Sequence, residues 1–374
     1  MATTTKGVWT LQDVRDNVLN GEWVTYTTEN DPSTLWSWGY NSQGSLGDGT
    51  NASKSSPVQV PGTQWSKIDI TFRHATATKS DGTLWSWGYN NSGPLGDGTT
   101  VPKSSPVQVP GTQWFNVTNG QYHTVATKTD GTLWAWGSNQ FGRLGDGTTV
   151  DKPSPIQVPG TQWNKISSGL WYSIATKTDG TLWTWGYNAY GNLGDGTITN
   201  KSSPVQVPGT RWNNISSGGC HTVATKTDGT LWSWGLNTSG PLGDGTITNK
   251  SSPVQIPGTQ WNKISGGDIH TVATKSDGTL WSWGGAGNGQ LGDGTINDKS
   301  SPIQVPGTQW NQITGGYAHT VATKSDGTLW SWGYNNKGQL GDGTKVSRSS
   351  PVQVPGTQWS NAINGQYTTM AKKV

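Results

Sequence analysis

The sequence predicts an all-β fold, a seven-bladed β-propeller of four-stranded blades with a short N-terminal helical extension. The main observation is a strict 49-residue repeat (85 − 36 = 49), which is marked by a Trp-x-Trp pair. A unit of this length that contains four short strands has the size of one propeller blade, and it buries its faces only by stacking on its neighbours. The first tryptophans of the pairs are Trp36, Trp85, Trp134, Trp183, Trp232, Trp281 and Trp330.

Each repeat contains four strand-like segments separated by turn residues. "HTVATK" alternates and is rich in β-branched residues, so we expect it to form the inner strand. A "SDG" or "TDG" turn leads to "TLWSWG", whose two tryptophans lie on one face of a strand. "SPVQVPG" is bounded by prolines, which lack the ladder N–H donor and so favour an outer position. "TQWNKI" is the remaining strand, and the seven units predict a propeller domain over residues 31–374.

The ring requires seven strands of the "HTVATK" type, and the C-terminal segment supplies one of them. Thr368, Thr369, Met370 and Ala371 align with His-Thr-Val-Ala. We therefore expect residues 368–373 to pair beside residues 34–39, so that the first blade contains both ends of the repeat region. "WVTYTT", which begins at Trp23, competes for this position. Closure of the ring removes open sheet edges, which otherwise promote aggregation.

The composition argues against several function classes. Charged residues are 13% and the formal net charge is +3, which is too weak and scattered to predict a nucleic-acid partner. No run of about 18 apolar residues is present, so we expect no membrane insertion. The N-terminus has no apolar signal-peptide core, and a single cysteine, Cys220, cannot form an intramolecular disulfide. A protein kept inside the cell, or one released in a virus particle, fits these features.

Residues 1–30 differ from the repeats and are expected to serve docking or assembly. "GVWTLQDVRDNVLNGEW" places apolar residues at helical spacing, with Thr10 as the N-cap and Gly21 as the stop. A helix this short is not stable alone in water, so its apolar side chains need a surface on a neighbouring subunit or an anchoring partner. The candidate docking residues are Trp9, Leu11, Val14 and Val18.

The motifs resemble a known repeat family. "ISGGDIHTVAT" at Ile264 and "ITGGYAHTVAT" at Ile313, followed by "LWSWG" and "GQLGDGT", resemble the regulator of chromosome condensation repeat family. The resemblance covers all seven copies and implies a seven-bladed propeller. That family includes nucleotide-exchange factors and bacterial β-lactamase-inhibitor-like proteins, so fold alone does not choose a function. The N-terminal lead is similar to openings of structural proteins of marine phages.

Two repeat positions carry residue types that bind metals in other proteins. Histidines on separate blades do not converge on one ion, which needs ligands at about 2.0–2.1 Å, so we expect packing and hydrogen bonding rather than a metal ring. Each "GDGT" turn offers one aspartate, whereas calcium needs 6–8 oxygens, so we expect a side chain that binds its own turn. No catalytic triad, phosphate loop or carboxylate pair stands out, and we expect no enzyme activity, no metal and no cofactor. These residues are His74, His123, His221, His270 and His319, and Asp48, Asp97, Asp146, Asp195, Asp244, Asp293 and Asp342.

The copies differ most just before the histidine position and in the turn after "SWG". The residues before the histidine enter the predicted inner strand, so they should surround one mouth of the central channel. Many are aromatic or apolar, as in protein-binding patches, although neutral variation of exposed loops is the alternative. The candidate binding rim consists of Phe72, Arg73, Tyr122, Leu170, Trp171, Ile269, Tyr317 and Tyr367.

The sequence favours a non-enzymatic structural or binding protein. We expect a virion component (phage tail or capsid-associated) or a cell-surface adhesin, whose propeller loops bind protein partners. Those partners include further copies of the chain, other virion subunits or a host-surface receptor, and the location is then the virion or the extracellular surface. The alternative is a cytoplasmic partner-binding regulator, such as an enzyme inhibitor or a guanine-nucleotide exchange factor.

The docking hypothesis for residues 1–30 is testable by deletion. We expect the shortened chain to remain a folded, monomeric propeller that no longer assembles, because the apolar residues of the segment bind another subunit. Light scattering and thermal unfolding of both forms measure this. Unfolding of the shortened chain would instead mean that the segment stabilises its own propeller.

Overall fold

The computed structural model describes residues 34–71, 73–365 and 367–373, which belong to the compact unit Ser33–Val374. They form seven four-stranded antiparallel sheets, and neighbouring sheets contact through their innermost strands around a closed ring. The all-β class and the seven blades predicted from the sequence are therefore confirmed. The expected N-terminal helix, the docking residues Trp9, Leu11, Val14 and Val18 and the "WVTYTT" segment lie outside the described residues.

Each blade consists of an innermost, a second, a third and an outer strand. The innermost strands are β3 (Trp65–Ile70), β7 (Trp114–Asn119), β11 (Trp163–Ser168), β15 (Trp212–Ser217), β19 (Trp261–Gly266), β23 (Trp310–Gly315) and β27 (Trp359–Asn364). The second strands are β4 (His74–Lys79), β8 (His123–Lys128), β12 (Tyr172–Lys177), β16 (His221–Lys226), β20 (His270–Lys275), β24 (His319–Lys324) and β28 (Thr368–Lys373).

The third and outer strands complete the blades. The third strands are β1 (Thr34–Gly39), β5 (Leu84–Gly88), β9 (Leu133–Gly137), β13 (Leu182–Gly186), β17 (Leu231–Gly235), β21 (Leu280–Gly284) and β25 (Leu329–Gly333). The outer strands are β2 (Lys54–Val60), β6 (Lys103–Val109), β10 (Lys152–Val158), β14 (Lys201–Val207), β18 (Lys250–Ile256), β22 (Lys299–Val305) and β26 (Arg348–Val354). A short 3-10 helix, Gln140–Gly142, follows β9.

We number the blades along the chain: blade 1 contains β27, β28, β1 and β2, blade 2 contains β3 to β6, and each later blade takes the next four strands. Because neighbouring strands are antiparallel, the loops between first and second strands and between third and outer strands share one face of the ring. We call this the rim face. The "DGT" hairpins lie on the opposite face.

The structure corrects the predicted order of strands from the axis. "HTVATK" forms the second strand, and the "TQWNKI" segment forms the innermost one. The reason is crowding: at the end of the innermost strand, a Cβ added to Gly266 would lie 2.6 Å from the backbone nitrogen of Gly218 in the preceding blade. In blades 6 and 7 the innermost strand ends in a glycine, Gly266 or Gly315, which has no Cβ and therefore allows this close approach. The outer position predicted for "SPVQV" is confirmed.

Blade 1 joins the two ends of the repeat region. In register, Thr34 pairs with Lys373, Trp36 with Ala371 and Gly39 with Thr368. This is the pairing that the alignment of residues 368–371 with His-Thr-Val-Ala predicts. Both edges of β1 are occupied, one by β28 and the other by β2.

Every blade junction contains a carbonyl oxygen that accepts hydrogen bonds from the next blade. Between blades 2 and 3, the Pro94 oxygen accepts from Trp136 Nε1 at 2.9 Å and from Thr124 Oγ1 at 2.8 Å. We call this pair of bonds the carbonyl clip. The second tryptophan of each Trp-x-Trp pair is fully buried and donates in the same way at all seven junctions. Its role is therefore to join blades by both packing and hydrogen bonding.

The opposite face carries a repeated cation–π arrangement. In blade 2, the Lys79 ammonium lies 4.8 Å from the Trp65 ring centre and 4.7 Å from that of Trp85. The half-buried Trp85 donates its Nε1–H to Thr83 Oγ1, whose own hydroxyl binds Asp81. The first tryptophan of each pair and the tryptophan of "TQW" therefore enclose a lysine of their own blade. This use of aromatic surface is internal.

Removal of a buried tryptophan tests the stacking role. Trp283 is fully buried, donates to the Pro241 oxygen at 2.9 Å and contacts the Gly243 turn of the preceding blade. We expect Trp283→Ala to lower the free energy of unfolding by about 3–5 kcal/mol, because it leaves a cavity between blades. Trp281→Ala is the matched control, with a smaller expected loss because Trp281 is only half-buried. Reversible denaturation measures both, and a loss below about 1 kcal/mol for Trp283→Ala would contradict the packing argument.

Candidate functional site

The five histidines lie at junctions between blades. His74 Nε2 is 3.0 Å from Thr124 Oγ1 of the next blade, and the same contact recurs for the other four histidines at 2.9–3.2 Å. Thr124 Oγ1 has a single proton, which it donates to the Pro94 oxygen, so it accepts from His74 and the imidazole carries its proton on Nε2. Hydrogen bonding across the junction, as predicted, is their role.

Burial keeps these histidines neutral. Desolvation lowers the pKa of His74, His221 and His319 to about 3 and that of His270 to about 4. For the histidines other than His74, a glycine three residues earlier supplies room for the ring: a Cβ on Gly267 would lie 2.2 Å from His270 Cε1. In blade 4 a tyrosine replaces the histidine, and the Tyr172 hydroxyl contacts Thr222 Oγ1 at 3.0 Å. Among the described residues, no group of three or more potential metal ligands converges.

The aspartates of the "GDGT" turns organise their own loops, as predicted. Asp48 Oδ1 accepts from the Thr50 backbone N–H at 2.9 Å and from Thr50 Oγ1 at 2.8 Å. Asn41 Nδ2 donates to the same carboxylate at 3.2 Å, and Lys54 Nζ lies 3.9 Å from Oδ2. The asparagine and the lysine were not predicted, although both recur at fixed positions in most repeats. These carboxylates are therefore engaged in turn structure.

The seven candidate rim residues that the structure describes lie on the rim face, but they are not a ring around the axis. Only Leu170 and Tyr317 line the axial opening, while the others lie further out because the strand they enter is the second one. Ile269 packs over Gly285 of its own blade. Phe72 lies outside the described residues. The remaining members, Arg73, Tyr122, Trp171 and Tyr367, join aromatic residues from the loops after the third strands.

These residues form three contacting groups. Arg73 stacks between the Tyr89 and Tyr122 rings, at 5.2 Å from each centre. Trp171 contacts Tyr187 at 5.3 Å, and Tyr187 also contacts Phe141 and Tyr190. Tyr367 contacts Tyr40, Tyr317 and Tyr334 at 5.5–6.3 Å. Together the groups form what we call the aromatic arc, which extends over blades 7, 1, 2, 3 and 4.

Blades 5 and 6 carry no aromatic residue at the matching positions. Blade 5 has Gly219, Cys220 and Leu236 there, and blade 6 has Asp268, Ile269 and Gly285. Burial raises the pKa of the Cys220 thiol to about 12, so it is not an activated nucleophile. Burial also raises the pKa of Asp268 to about 6. The rim face therefore has an aromatic side, over blades 7, 1, 2, 3 and 4, and a side without aromatic residues at these positions, over blades 5 and 6.

An axial depression of about 190 Å³ opens on the rim face. Serine, threonine and glycine from the ends of the innermost strands line most of it. Their hydroxyls link neighbouring blades: the Ser167 hydroxyl accepts from the Ser217 backbone N–H at 3.0 Å, and equivalent bonds occur between later blades. Most of the depression is therefore a structural seam rather than a set of free polar groups.

Asp69 replaces the hydroxyl residue in blade 2. Its Oδ1 accepts from the Ile70 N–H at 2.9 Å, and its Oδ2 accepts from the Asn119 N–H of blade 3 at 2.5 Å. Burial raises the pKa of Asp69 to about 7, against the lowering effect of these backbone donors. The preceding blade has Ile363 at the matching position, which offers no acceptor to Ile70. One carboxylate thus serves two N–H groups.

The junction between blades 1 and 2 has lost further contacts. Ala75 stands where the other junctions have threonine or serine, so the carbonyl clip at Ser45 keeps only the bond from Trp87, at 3.0 Å. Thr368 stands at the histidine position and binds the Tyr40 oxygen of its own blade instead. Among the described residues, this junction therefore has fewer side-chain hydrogen bonds between blades than the other six.

The loop of blade 3 contains a backbone rearrangement within the aromatic arc. In blades 6 and 7 a buried glutamine accepts the backbone N–H two residues earlier, as Gln339 Oε1 does from Lys337. Blade 3 has Arg143 at this position, which only donates, and its Nε–H binds the Gln140 oxygen at 2.9 Å. In this loop Phe141 adopts a φ of 72°, which no other blade shows at the matching position among the described residues. This backbone conformation is strained for a side chain of this size.

The buried histidines predict acid sensitivity. Above pH 6.5 the imidazole of His270 is neutral in both the folded and the unfolded chain. Below pH 6.5 the unfolded chain binds a proton at this imidazole that the folded chain does not bind. The free energy of unfolding therefore falls as the pH falls toward about 4, the pKa of His270 in the folded chain. Each such histidine costs about 2 kcal/mol at pH 5. His270→Tyr introduces the residue that blade 4 carries at this position, Tyr172. We expect it to remove about that amount of the difference in unfolding free energy between pH 7 and pH 5.

Asp69 and Asp268 contribute to the pH dependence of stability with the opposite sign, and comparison of the variant with the wild type cancels their contributions. Their raised pKa values make stability rise as the pH falls, and the substitution leaves both in place. Denaturant unfolding from pH 7 to pH 5 measures the difference. Equal pH profiles for both proteins would show that His270 is not buried in its neutral form.

Sequence and structure comparisons agree with this architecture. The RCC1-like domain model matches residues 4–263, and the regulator of chromosome condensation (RCC1) repeat model matches residues 277–323 and 326–371. No curated protein sequence matches significantly. Within the described residues, no helix has the length and apolar character that crossing a membrane requires.

Solved structures align over nearly the whole chain. Human WBSCR16 aligns with a TM-score of 0.82 and 19% identity, covering 92% of this chain and 99% of that one. Prp20p from Saccharomyces cerevisiae aligns with a TM-score of 0.82 and 21% identity, covering 92% of both chains. Yeast RCC1 (Prp20), in its structure bound to Kap60, gives 0.83 and 20%, covering 92% and 89%. At these identities the structures show the fold alone, whereas the family models cover most of the sequence, and the chain belongs to the RCC1 repeat family of β-propellers.

Proposed function

We propose that this propeller is a non-enzymatic partner-binding protein, and that the aromatic arc on the rim face is the surface that binds the partner. The observation that carries the proposal is the concentration of half-exposed tyrosine, tryptophan and arginine on five adjacent blades. These residue types dominate binding energy in protein interfaces. They occur at the positions where the repeats differ most, on a scaffold whose remaining positions are nearly constant.

Partly exposed aromatic residues without a core role support this assignment. Trp171 lies on the rim face, outside the blade-stacking set, and its Nε1–H binds Gln121 Oε1 of blade 3 at 2.8 Å. Tyr317 is 39% exposed. A side chain that is neither needed for packing nor fully covered is available for a partner, with little conformational entropy to lose.

The comparisons support a partner-binding regulator, such as an enzyme inhibitor or an exchange factor, over a virion or cell-surface role. The structure of Prp20p is described with its binding properties to Gsp1p and histones, and a further structure holds yeast RCC1 bound to Kap60. Protein binding by propellers of this family supports the same class of function for this chain. None of the aligned structures cited above is described as a virion protein.

Quantitative affinity capture from the source cells tests the proposal. We expect Tyr122→Ala combined with Trp171→Ala to reduce recovery of the captured partner at least tenfold, because both side chains belong to the arc. The control is Phe115→Ala, which removes an aromatic residue that is 54% exposed at the start of β7, on the opposite face. Melting temperatures establish that all variants are folded.

The outcome separates the arc from other surfaces. Undiminished recovery with the double variant, or an equal loss with Phe115→Ala, would place the binding surface elsewhere. Recovery of an enzyme whose activity changes on binding would support the regulatory class.

A further inference from the structure

A small cavity of about 80 Å³ lies between blades 1 and 2, in the middle of the aromatic arc. Among the described residues, four from the blade 1 loop and one from blade 2 line it. It is therefore located at the junction that has lost its threonine and histidine contacts. The lining residues are Tyr40, Ser42, Gln43, Ser45 and Arg73.

The cavity lies at a junction where two positions carry small residues, one of which, Ser45, lines it. Ser45 and Ala75 are buried there, whereas other blades have larger side chains at both positions. Gln290 and Gln339, which match Ser45 in blades 6 and 7, are fully buried and fill the corresponding space. The other residues that match Ser45 are Pro94, Arg143, Asn192 and Pro241, and those that match Ala75 are Thr124, Ser173, Thr222, Thr271, Thr320 and Thr369.

The lining favours an anion. It contains the Arg73 guanidinium, hydroxyl groups and an amide, and none of the described lining residues is acidic. A second cation is close, because Lys337 Nζ lies 5.9 Å from the centre of the Tyr40 ring. Asp48, in the same loop as Tyr40, already lies 3.9 Å from Lys54. The local charge on this part of the arc is therefore positive.

Arg73 is held in a fixed orientation. Its guanidinium stacks at 5.2 Å from the ring centres of both Tyr89 and Tyr122, which restrict its movement. A guanidinium has five N–H donors in one plane, so it can bind a carboxylate while it keeps its other contacts. Such bonds between charged groups are among the stronger polar interactions in proteins.

We propose that this cavity is the anchor pocket for a carboxylate side chain, aspartate or glutamate, of the protein that binds the aromatic arc. This inference rests on the proposed function and specifies the chemistry of the partner. A volume of about 80 Å³ corresponds to two or three water molecules, at about 30 Å³ each, which is space for a carboxylate group. Arg73 binds the carboxylate, and the tyrosines beside it pack against the neighbouring residues of the partner.

Short peptides provide a direct test. The probes are acetyl-Gly-Glu-Gly-amide and its Gln counterpart, titrated into the full chain while amide NMR signals of residues 42–45 and 73 are followed. We expect the Glu peptide to bind at least tenfold more tightly than the Gln peptide, because only the former carries the charge. Acetate and inorganic phosphate are titrated in parallel. Equal binding of the two peptides would overturn the proposal, and so would phosphate binding more tightly than the Glu peptide, which would indicate a site for free anions.

A substitution taken from the repeats themselves fills the pocket. Ser45→Gln introduces the residue that blades 6 and 7 carry, so we expect it to preserve the fold and to weaken binding of the Glu peptide at least tenfold. Arg73→Gln removes the charge and should have the same effect. The control is Pro241→Gln, which makes the matching change in blade 5, away from the arc. Unchanged peptide binding by Ser45→Gln would overturn the assignment.

Capture of the partner distinguishes the proposal that the aromatic arc binds a partner from the proposal that the cavity binds a carboxylate of that partner. If Ser45→Gln leaves recovery of the partner unchanged while the Tyr122→Ala, Trp171→Ala variant abolishes it, the arc binds the partner and the anchor pocket is wrong. If neither variant changes recovery, the proposed function itself fails.

Discussion

The structure depends on a backbone carbonyl oxygen that accepts two hydrogen bonds from the next blade. A carbonyl oxygen has two lone pairs, and at six of the seven junctions a tryptophan and a threonine or serine occupy both of them. Because the donors come from two different strands of the next blade, the clip fixes both the distance and the angle between blades. The same hydroxyl then accepts from the histidine, which sets the histidine's protonated nitrogen. The buried tryptophans, the glycine turns beneath them and the neutral histidines follow from this one arrangement.

The junction between blades 1 and 2 departs from that arrangement, and the departures are concentrated together. Ala75, Thr368 and Ile363 each replace a residue that joins blades elsewhere. The proposed anchor pocket lies at this same junction, beside the small residue Ser45. Functional sites in proteins are expected where local rules of stability are broken. A regular repeat makes such departures visible without any comparison between species.

Much of this fold could be predicted from the sequence, because a strict repeat fixes strand number and the closing segment. The order of strands from the axis could not be, since β propensity does not encode distance from the axis. A signal for it is present in blades 6 and 7, where a glycine pair such as Gly266–Gly267 follows the innermost-strand segment after one serine or threonine. The sequence shows the rim positions as variable positions, but it does not show which of them contact each other. Arg73 and Tyr122, for example, are 49 residues apart in the chain and contact only across a junction between blades. The conformation of Phe141 has no signature of its own, because it follows from Arg143 two residues later.

The clip also has a consequence for how such a chain changes over time. At five of the seven junctions its bonds join one residue to positions 30 and 42 residues later, so each of these units contacts the unit that follows it. Duplication or deletion of a whole unit in the interior of the gene therefore keeps the sequence spacing of these bonds between the neighbouring units that remain. The number of blades is then set by the curvature at which the ring closes rather than by a particular residue. A chain of this design can acquire a new loop on a copied blade while the original blades keep their own.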